Sequence, residues 1–312
     1  MNSGSAFTPA FSSSLLPANA LSGQRVGISV SDSADLRRLG LLSSHFNLAL
    51  RELARIVLVG GGTLAYGGHL VPGGYTEFLI GELHRYAQAG LFNAGHRGPA
   101  LLVCLAWQEH RHRSLEELNA TNSQLGVYGE MRCLDLDGRV IVGWSANRLT
   151  EGEPYPSDKA VLAQGLSALR TYMTGQTSAR LLLGGKRQGY TGPMPGVLQE
   201  ALLALRAAQP LYLASGLGGV TLDITGAIDG RCAGLCPRHG SDPPLDQSAM
   251  AGLDELRALI SSDGWRRLNN GLDEAENLQL SMTHRPAEIA ALVALGLGRW
   301  AQSRAAQQGH GR

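Results

Sequence analysis

The sequence predicts an α/β protein of Rossmann type, with a mainly parallel sheet, helices on both faces and a single domain. Short apolar segments alternate along the chain with segments whose apolar residues recur at helical spacing, which is typical of parallel sheets joined by helices. In addition, 41 of the 312 residues are glycine, well above the usual share of about 7%. These glycines cluster beside the apolar segments, where they permit tight turns and close approach of a ligand to the backbone.

The first half of the chain carries three predicted strands. Arg25–Val30 is a short segment of strand-forming residues, and apolar residues then recur at helical spacing to about residue 54. Ile56–Val59 is apolar and runs directly into glycines, so it predicts the second strand. A helix is predicted over Thr76–Ala89. Leu101–Ala106 is continuously apolar, as expected for a third strand that is buried on both faces.

The second half repeats this alternation. Ser114 and Glu117 have the spacing of a capping box, which predicts a short helix, and Arg139–Val142 is predicted to be an edge strand. Further strands are predicted at Arg180–Leu183 and Pro210–Ala214. Helices are predicted over residues 157–174, 195–208, 250–262 and 286–304.

Composition narrows the class of protein. Residues 1–22 lack the basic and apolar regions of a signal peptide, so we expect a disordered arm, followed by one domain over 23–306 and a frayed tail over 307–312. No apolar stretch approaches the roughly 20 residues of a membrane helix, so we expect a cytoplasmic protein without a membrane partner. The net charge of +1 gives no broad electrostatic surface for nucleic acid.

The cysteines do not predict a metal site. Four cysteines are too few and too scattered for a disulfide framework in a chain of this length. Cys232 and Cys236 precede His239 in a C-x3-C…H cluster, but a structural zinc site needs a fourth ligand and usually closer spacing. We therefore predict neither a bound metal nor a cofactor.

Three glycine-rich loops are the candidate site. They are Gly60–Gly68, Gly184–Gly196 and Gly216–Gly219, and each follows a predicted strand. In open parallel sheets, ligands bind beyond the carboxyl ends of the strands, where free N–H groups and helix N-termini suit phosphate. Plain close packing is the alternative. The candidate ligand-binding residues are Ser31, Gly60, Gly61, Gly62, Thr63, Gly67, Gly68, Gly184, Gly185, Lys186, Arg187, Gly196, Glu200, Gly216, Gly218 and Gly219.

Two common nucleotide motifs are missing from these loops. The sequence contains no G-x-x-x-x-G-K-[ST] segment, which excludes an ordinary P-loop. It also lacks a G-x-G-x-x-G after the first strand with a downstream acid, which disfavours an ordinary NAD dehydrogenase.

Each candidate side chain has two interpretations. Glu200 either accepts a ribose hydroxyl or complements the dipole of its helix. Lys186 and Arg187 either hold phosphate or are solvated, and phosphate is favoured because an anion needs a counter-charge. Thr63 either donates to phosphate or caps the next helix, and Ser31 is more typical of a cap.

The aromatic and basic residues near these loops are also ambiguous. Tyr66 and Tyr190 either stack on a base or pack in the core. Asp32 follows the first strand and is more typical of a helix cap than of a ligand contact. The basic cluster His110–Arg113 is more typical of an exposed charged loop.

The glycine-rich segments resemble a known superfamily. VLVGGGTLAYGGHL at 57–70, LLLGGKRQGYTGPMPGVLQEAL at 181–202 and PLYLASGLGGV at 210–220 resemble the SLOG superfamily, over about residues 24–230. That superfamily includes the Lonely Guy phosphoribohydrolases, the DNA-processing protein DprA, and the ligand-sensing domains of TRPM channels and their prokaryotic relatives. The resemblance implies a Rossmann-type domain that handles nucleotide-derived ligands.

The departures from the family pattern separate its branches. The hydrolytic relatives read P-G-G-x-G-T-x-x-E in the second loop, and aligning this pattern places Val197 at the threonine and Glu200 at the glutamate. Ten residues lie between Gly185 and Gly196 where the pattern has one. The segment Pro72–Gly74 falls after the first loop, so we interpret its similarity as coincidental. The resemblance is therefore closest to the prokaryotic, defence-associated sensors.

The resemblance implies three alternative functions. The first is a sensor, in a bacterial defence or signalling system, that binds ADP-ribose, cyclic ADP-ribose or NAD and acts on an effector protein encoded separately. The second is an N-glycosidic hydrolase or phosphoribohydrolase, in which Glu200 stabilises an oxocarbenium-like ribose and Arg187 holds phosphate. The third is a non-catalytic scaffold. Turnover of a nucleotide distinguishes the second from the first.

The C-terminal helix predicts a homodimer. Ala287–Ala301 is apolar around most of the circumference of a helix, which is more than a one-sided surface helix requires. A terminal helix seldom lies at the centre of a domain, so we expect its second face to contact another subunit. The alternative is that it covers one face of the sheet.

Overall fold

The computed structural model describes Leu16, residues 19–90, Phe92, and residues 98–144, 154–234 and 244–309. Within them the chain forms one α/β domain with a parallel sheet between two layers of helices, which confirms the predicted fold class.

Six parallel strands form the described sheet, in the order β4-β3-β2-β1-β5-β6. They are β1 (Arg25–Ser31), β2 (Thr63–Gly67), β3 (Leu101–Leu105), β4 (Gly129–Cys133), β5 (Ala179–Gly184) and β6 (Leu211–Ala214). The chain adds strands on one side of β1 and then returns to pair β5 on its other side. The order therefore reverses between β1 and β5, and such a switch point opens a crevice at the carboxyl ends of the strands.

Ten α-helices accompany these strands in the described ranges. They are α1 (Ser43–Val59), α2 (Tyr75–Gln88), α3 (Trp107–Arg111), α4 (Leu115–Leu125), α5 (Lys159–Gln176), α6 (Gly196–Arg206), α7 (Val220–Ile228), α8 (Gln247–Ile260), α9 (Glu274–Met282) and α10 (Pro286–Gly309). The predicted capping box is present, since the Ser114 hydroxyl accepts from the N–H of Glu117 at the start of α4.

The two faces of the sheet bury different residues of each strand. Leu181 and Leu183 of β5 pack in one cluster with α1 and α10, whereas Leu182 between them packs with α6, α7 and α8. This alternation follows from the two-residue period of a strand. Both faces are covered, which explains why the strand sequences are continuously apolar.

The second predicted strand is wrong. Ile56–Val59 is the last turn of α1, and the strand is Thr63–Gly67 instead. Ile56 and Val57 continue the buried stripe of Leu50 and Leu53, so helical packing overrides the β-propensity of the short apolar run. The glycines at 60–62 therefore connect a helix to a strand.

Two further elements differ from the predictions. The edge strand is Gly129–Cys133, and Arg139–Val142 contributes one isolated antiparallel bridge between Leu134 and Val140. An edge strand that is buried on one face has a weak apolar signal, which explains the error. Helix α9 (Glu274–Met282) was not predicted, because its polar first turn hides a short buried face.

The end of the predicted N-terminal arm packs on the domain. Leu21 is fully buried, and its N–H donates to the carbonyl oxygen of Gly60 at 2.8 Å. The domain therefore begins before residue 23, where the predicted arm ends. A single buried leucine produces no periodic apolar pattern, so the sequence does not reveal this contact. Residues 1–15, 17 and 18 of the arm lie outside the described residues.

Helix α10 is buried within its own chain. Leu292, Val293 and Leu297 belong to the core cluster that α10 shares with α1, so packing within the domain accounts for much of its apolar circumference, and the homodimer stays a prediction. The helix extends to Gly309, and residues 310–312 of the predicted tail lie outside the described residues. In the described parts of the chain, no helix has the length and hydropathy that a membrane span needs.

Candidate functional site

A cleft of about 640 Å³ lies at the switch point, beyond the carboxyl ends of β1, β2 and β5. Its size is within the usual range for small-molecule sites. Its polar lining comes from β1, β2 and the loops after β1, β2 and β5, from the first turns of α1, α2 and α6, and from α3 and α5. These side chains are Ser29, Ser31, Asp32, Ser43, Asn47, Tyr66, His69, Tyr75, Glu109, Arg170, Lys186, Tyr190, Thr191 and Glu200.

Glu200 is the centre of a charged network on the floor of this cleft. Its Oε2 accepts from Nη1 of Arg180 at 2.7 Å and from the hydroxyl of Ser29. Its Oε1 lies 3.6 Å from Nε of Arg170. Burial lowers the pKa of both guanidinium groups, and the carboxylate of Glu200 opposes this shift in each. The negative charge of Glu200 is therefore compensated from within the protein.

Gln199 of α6 positions the guanidinium group of Arg170. Its Nη1 donates to Oε1 of Gln199 at 2.5 Å, and Nε2 of Gln199 donates to Ser167 at 3.0 Å. Gly196 leaves room for this guanidinium, because a Cβ at this position would lie 2.5 Å from Nη2 of Arg170 and the side chain of Arg170 would have to move. The predicted glycine at the start of α6 thus accommodates an arginine that sequence reasoning did not select.

The N-terminus of α6 faces the cleft. The first bond of the helix ladder is from the N–H of Gln199 to the carbonyl oxygen of Pro195, so the N–H groups of the three preceding residues lie outside the ladder. Within this described helix, no side chain caps the N-terminus and the first turn contains no acidic residue. Gly196, Val197 and the exposed Lys186 line the cleft beside these N–H groups. This arrangement suits a phosphate group.

Two tyrosines form the wall on the other side. Tyr66 of β2 is buried, and Tyr75 begins α2 and donates from its hydroxyl to Asp32 at 2.8 Å. Burial and the nearby carboxylates raise the pKa of both tyrosines, so both hydroxyls stay protonated. The segment Pro72–Gly74 also lines the cleft, just before α2. Its similarity to the family pattern, which we interpreted as coincidental, therefore falls at the candidate site.

Arg187, a predicted phosphate contact, does not line the cleft and is hydrogen-bonded within the protein. Its Nε donates to Asp223 at 2.6 Å, its Nη1 to Asp35 at 2.5 Å and its Nη2 to the carbonyl oxygen of Gly219 at 3.0 Å. Burial opposes its charge, but the two carboxylates outweigh burial and raise its pKa. Arg187 joins three loops of the protein.

Four predicted glycines pack closely against other parts of the protein and do not line the cleft. A Cβ on Gly219 would lie 2.4 Å from the carbonyl carbon of Gly184, and one on Gly185 would lie 3.1 Å from Cβ of Val220. Gly184, Gly185, Gly218 and Gly219 all have positive φ. Gly216 is likewise required by packing, because its Cβ would lie 2.0 Å from the carbonyl oxygen of Thr283.

The first predicted loop is divided between the two edges of the sheet. Because β2 begins at Thr63 and pairs there with the first residue of β1, Gly60, Gly61, Gly62 and Thr63 lie at the edge opposite to the cleft. The structure therefore does not bring these four residues to the candidate site. The error follows directly from placing the strand before the glycines instead of after them.

Six of the predicted residues line the cleft together. They are Ser31, Gly67, Gly68, Lys186, Gly196 and Glu200. Tyr190 also lines it, and its hydroxyl is hydrogen-bonded to Ser248 at 2.6 Å and to Asp246 at the start of α8. Cys232 is buried, whereas Cys236 and His239 lie outside the described residues, so the absence of a metal site stays a prediction.

A parallel sheet with a polar cleft at its switch point defines a class of Rossmann-type small-molecule-binding domains. The comparison with known families identifies the member of this class: the chain belongs to the SLOG family, since residues 20–280 match the family SLOG cluster2. This membership indicates a nucleotide-related ligand-binding or glycosidase-like domain. No curated protein and no solved structure matches the chain.

Proposed function

We propose that this domain binds a nucleotide-derived ligand of the ADP-ribose, cyclic ADP-ribose or NAD type in the cleft, as a sensor in a bacterial defence or signalling system. One observation carries the proposal: the uncapped N-terminus of α6 and the exposed Lys186 face the same cleft as the carboxylates of Asp32 and Glu200. The first pair supplies donors for phosphate, and the second supplies acceptors for ribose hydroxyls.

Binding without turnover is favoured by the state of Glu200. A carboxylate that stabilises an oxocarbenium-like ribose acts through its negative charge. Here that charge is compensated by Arg180 and Arg170, and Arg187, which would hold the phosphate of a hydrolase substrate, is bound to Asp35 and Asp223. These contacts favour binding over hydrolysis, and we propose that a separately encoded effector protein responds to the bound ligand.

Binding is tested by calorimetric titration of the protein with ADP-ribose, cyclic ADP-ribose and NAD, comparing the wild type with Lys186→Ala. The chain contains one other lysine, Lys159, which is also exposed and does not line the cleft, so Lys159→Ala is a matched control. We expect Lys186→Ala to weaken binding about 10-fold, as for loss of a charged hydrogen bond, and Lys159→Ala to leave it unchanged. If the wild type binds none of the three nucleotides, the proposed function is wrong.

Turnover is tested separately by incubating the protein with NAD and with AMP and separating the products by chromatography. The sensor predicts intact nucleotide after hours at micromolar protein. If the wild type releases free base and Glu200→Gln does not, the sensor hypothesis is wrong and the protein is an N-glycosidic hydrolase.

A further inference from the structure

The cleft holds a histidine and a buried glutamate that its phosphate-binding end does not use. His69 follows β2, and its Nδ1 lies 2.9 Å from Oε1 of Glu109 in α3. The side chain of Glu109 is 6% exposed and that of His69 is 57% exposed, and both line the cleft. A buried carboxylate thus holds an accessible imidazole ring.

This contact determines what the ring offers to a ligand. Burial opposes the ionisation of Glu109, but the hydrogen bond from His69 and the other contacts of this carboxylate outweigh burial and hold the pKa of Glu109 below its ordinary value. The hydroxyl of Tyr155 donates to the same oxygen at 3.3 Å. An ionised carboxylate accepts hydrogen bonds, so the proton of the neutral ring is on Nδ1 and Nε2 is an acceptor. Within the described residues, Nε2 of His69 has no hydrogen-bond partner.

The strand order gives the cleft a direction. His69 and Lys186 each lie two residues beyond their strands, β2 and β5, which flank β1 on opposite sides. Neighbouring strands are about 4.8 Å apart, so these two residues are separated by roughly 10 Å across the sheet. The β5 side offers donors, namely Lys186 and the N–H groups of α6. The loop after β2 offers an acceptor, Nε2 of His69, and Asp32 at the end of the central strand β1 adds a carboxylate.

We propose that His69, oriented by Glu109, accepts a hydrogen bond from a ribose hydroxyl of the ligand whose phosphate lies at the N-terminus of α6. This inference rests on the proposed function and specifies its ligand class: a nucleotide with a free ribose hydroxyl at the end of the cleft remote from α6. The carboxylate of Glu109 beside the ring disfavours a phosphate at this position.

The binding test compares ADP-ribose with inorganic pyrophosphate as probes. In His69→Asn, the amide nitrogen takes the place of Nδ1 and still donates to Glu109, but no atom replaces Nε2. We expect this variant to bind ADP-ribose about five-fold more weakly and pyrophosphate as tightly as the wild type. His69→Gln, whose amide reaches the position of Nε2, should recover most of the affinity. His284→Asn, an exposed histidine outside the cleft, is the control and should bind as the wild type does.

Two binding outcomes overturn the inference: an unchanged affinity of His69→Asn for ADP-ribose, or an equal loss of affinity for pyrophosphate. They are distinguishable from failure of the proposed function, in which the wild type binds no nucleotide and this inference fails with it.

The orientation of His69 is tested without ligand, by long-range ¹⁵N–¹H NMR of the histidine rings at a pH high enough for the rings to be neutral. We expect a protonated Nδ1 and an unprotonated Nε2 for His69 in the wild type, and a mixture of tautomers in Glu109→Ala. A ring with its proton on Nε2 in the wild type overturns the proposal, whatever ligand binds.

Discussion

Nη1 of Arg187 donates to Oδ2 of Asp35 across 2.5 Å, and this pair connects the loop after β5 to the loop after β1. The carboxylate of Asp35 is fully buried and also accepts from the N–H of Gly219 at 2.7 Å. Burial opposes its charge, but the Gly219 N–H and Arg187 outweigh burial and lower the pKa of Asp35. This ion pair therefore connects two of the loops at the edge of the sheet where the cleft lies.

Arg187→Met should lower the free energy of unfolding by about 3 kcal/mol, because it leaves the buried carboxylate of Asp35 without its main counter-charge. Urea denaturation at pH 7 measures this loss. Lys186→Met, at the neighbouring exposed position, should leave stability within about 0.5 kcal/mol of the wild type. Unchanged stability of Arg187→Met would contradict a structural role for Arg187 and would leave a ligand contact as its function.

Gly219→Ala should destabilise the fold by at least about 2 kcal/mol, since its φ of 73° is unfavourable for alanine and its Cβ would lie 2.4 Å from Gly184. Gly175→Ala in α5 is the matched control. No atom of the described structure lies within 4 Å of the added Cβ, so helix propensity should stabilise this variant by about 0.5–1 kcal/mol. Thermal unfolding followed by circular dichroism compares the two. Similar stabilities would contradict a packing role for Gly219.

Leu21→Ala should cost about 3 kcal/mol of stability, because Leu21 is fully buried against the turn between α1 and β2. Leu42→Ala removes the same atoms from a residue that is 67% exposed, and should change stability little. Chemical denaturation of both variants gives the difference. Equal effects would mean that the N-terminal segment does not pack on the domain in solution.

The contribution of Asp229 to stability should depend on pH. Hydrogen bonds from Arg231 lower its pKa to about 2, from an ordinary value of about 3.9. A carboxylate whose pKa is lower in the folded state stabilises the fold fully above its unfolded pKa, and this contribution is lost as the pH falls from about 4 towards 2. The stability difference between the wild type and Asp229→Asn should be constant from pH 7 to 5 and shrink below pH 4. A difference that does not change with pH would show that the ion pair does not form.

The sequence predicts most of the fold because its strands are buried on both faces and its helices are amphipathic. It fails where two signals coincide: Ile56–Val59 is both a short apolar run and the last turn of an amphipathic helix. Only the packing of α1 against α10 decides between them. Edge strand β4 escapes prediction for the opposite reason, since its exposed side weakens the apolar pattern.

The candidate site is less predictable, because a glycine that approaches a ligand and a glycine that approaches another loop have the same sequence signal. Glu200, Lys186 and Gly196 line the cleft, and their contact with a ligand stays a prediction. Gly184 and Gly219 face each other instead, and Arg187 has two carboxylate partners that are distant in the sequence. His69 and Glu109 are brought together by the adjacent strands β2 and β3, a pairing that no local motif reveals.

The central position of β1 affects how the chain folds during synthesis. Its partner β5 lies about 150 residues further along the chain, so the ribosome, at roughly 5–20 residues per second, delivers it roughly 7–30 s later. During that interval β1–β4 can pair, but the open edge of β1 displays unpaired N–H and C=O groups and the switch point does not exist. This four-stranded sheet can pair with other nascent chains through the open edge of β1 until β5 pairs with that edge. Recruitment of a chaperone is therefore most needed between the emergence of β4 and that of β5.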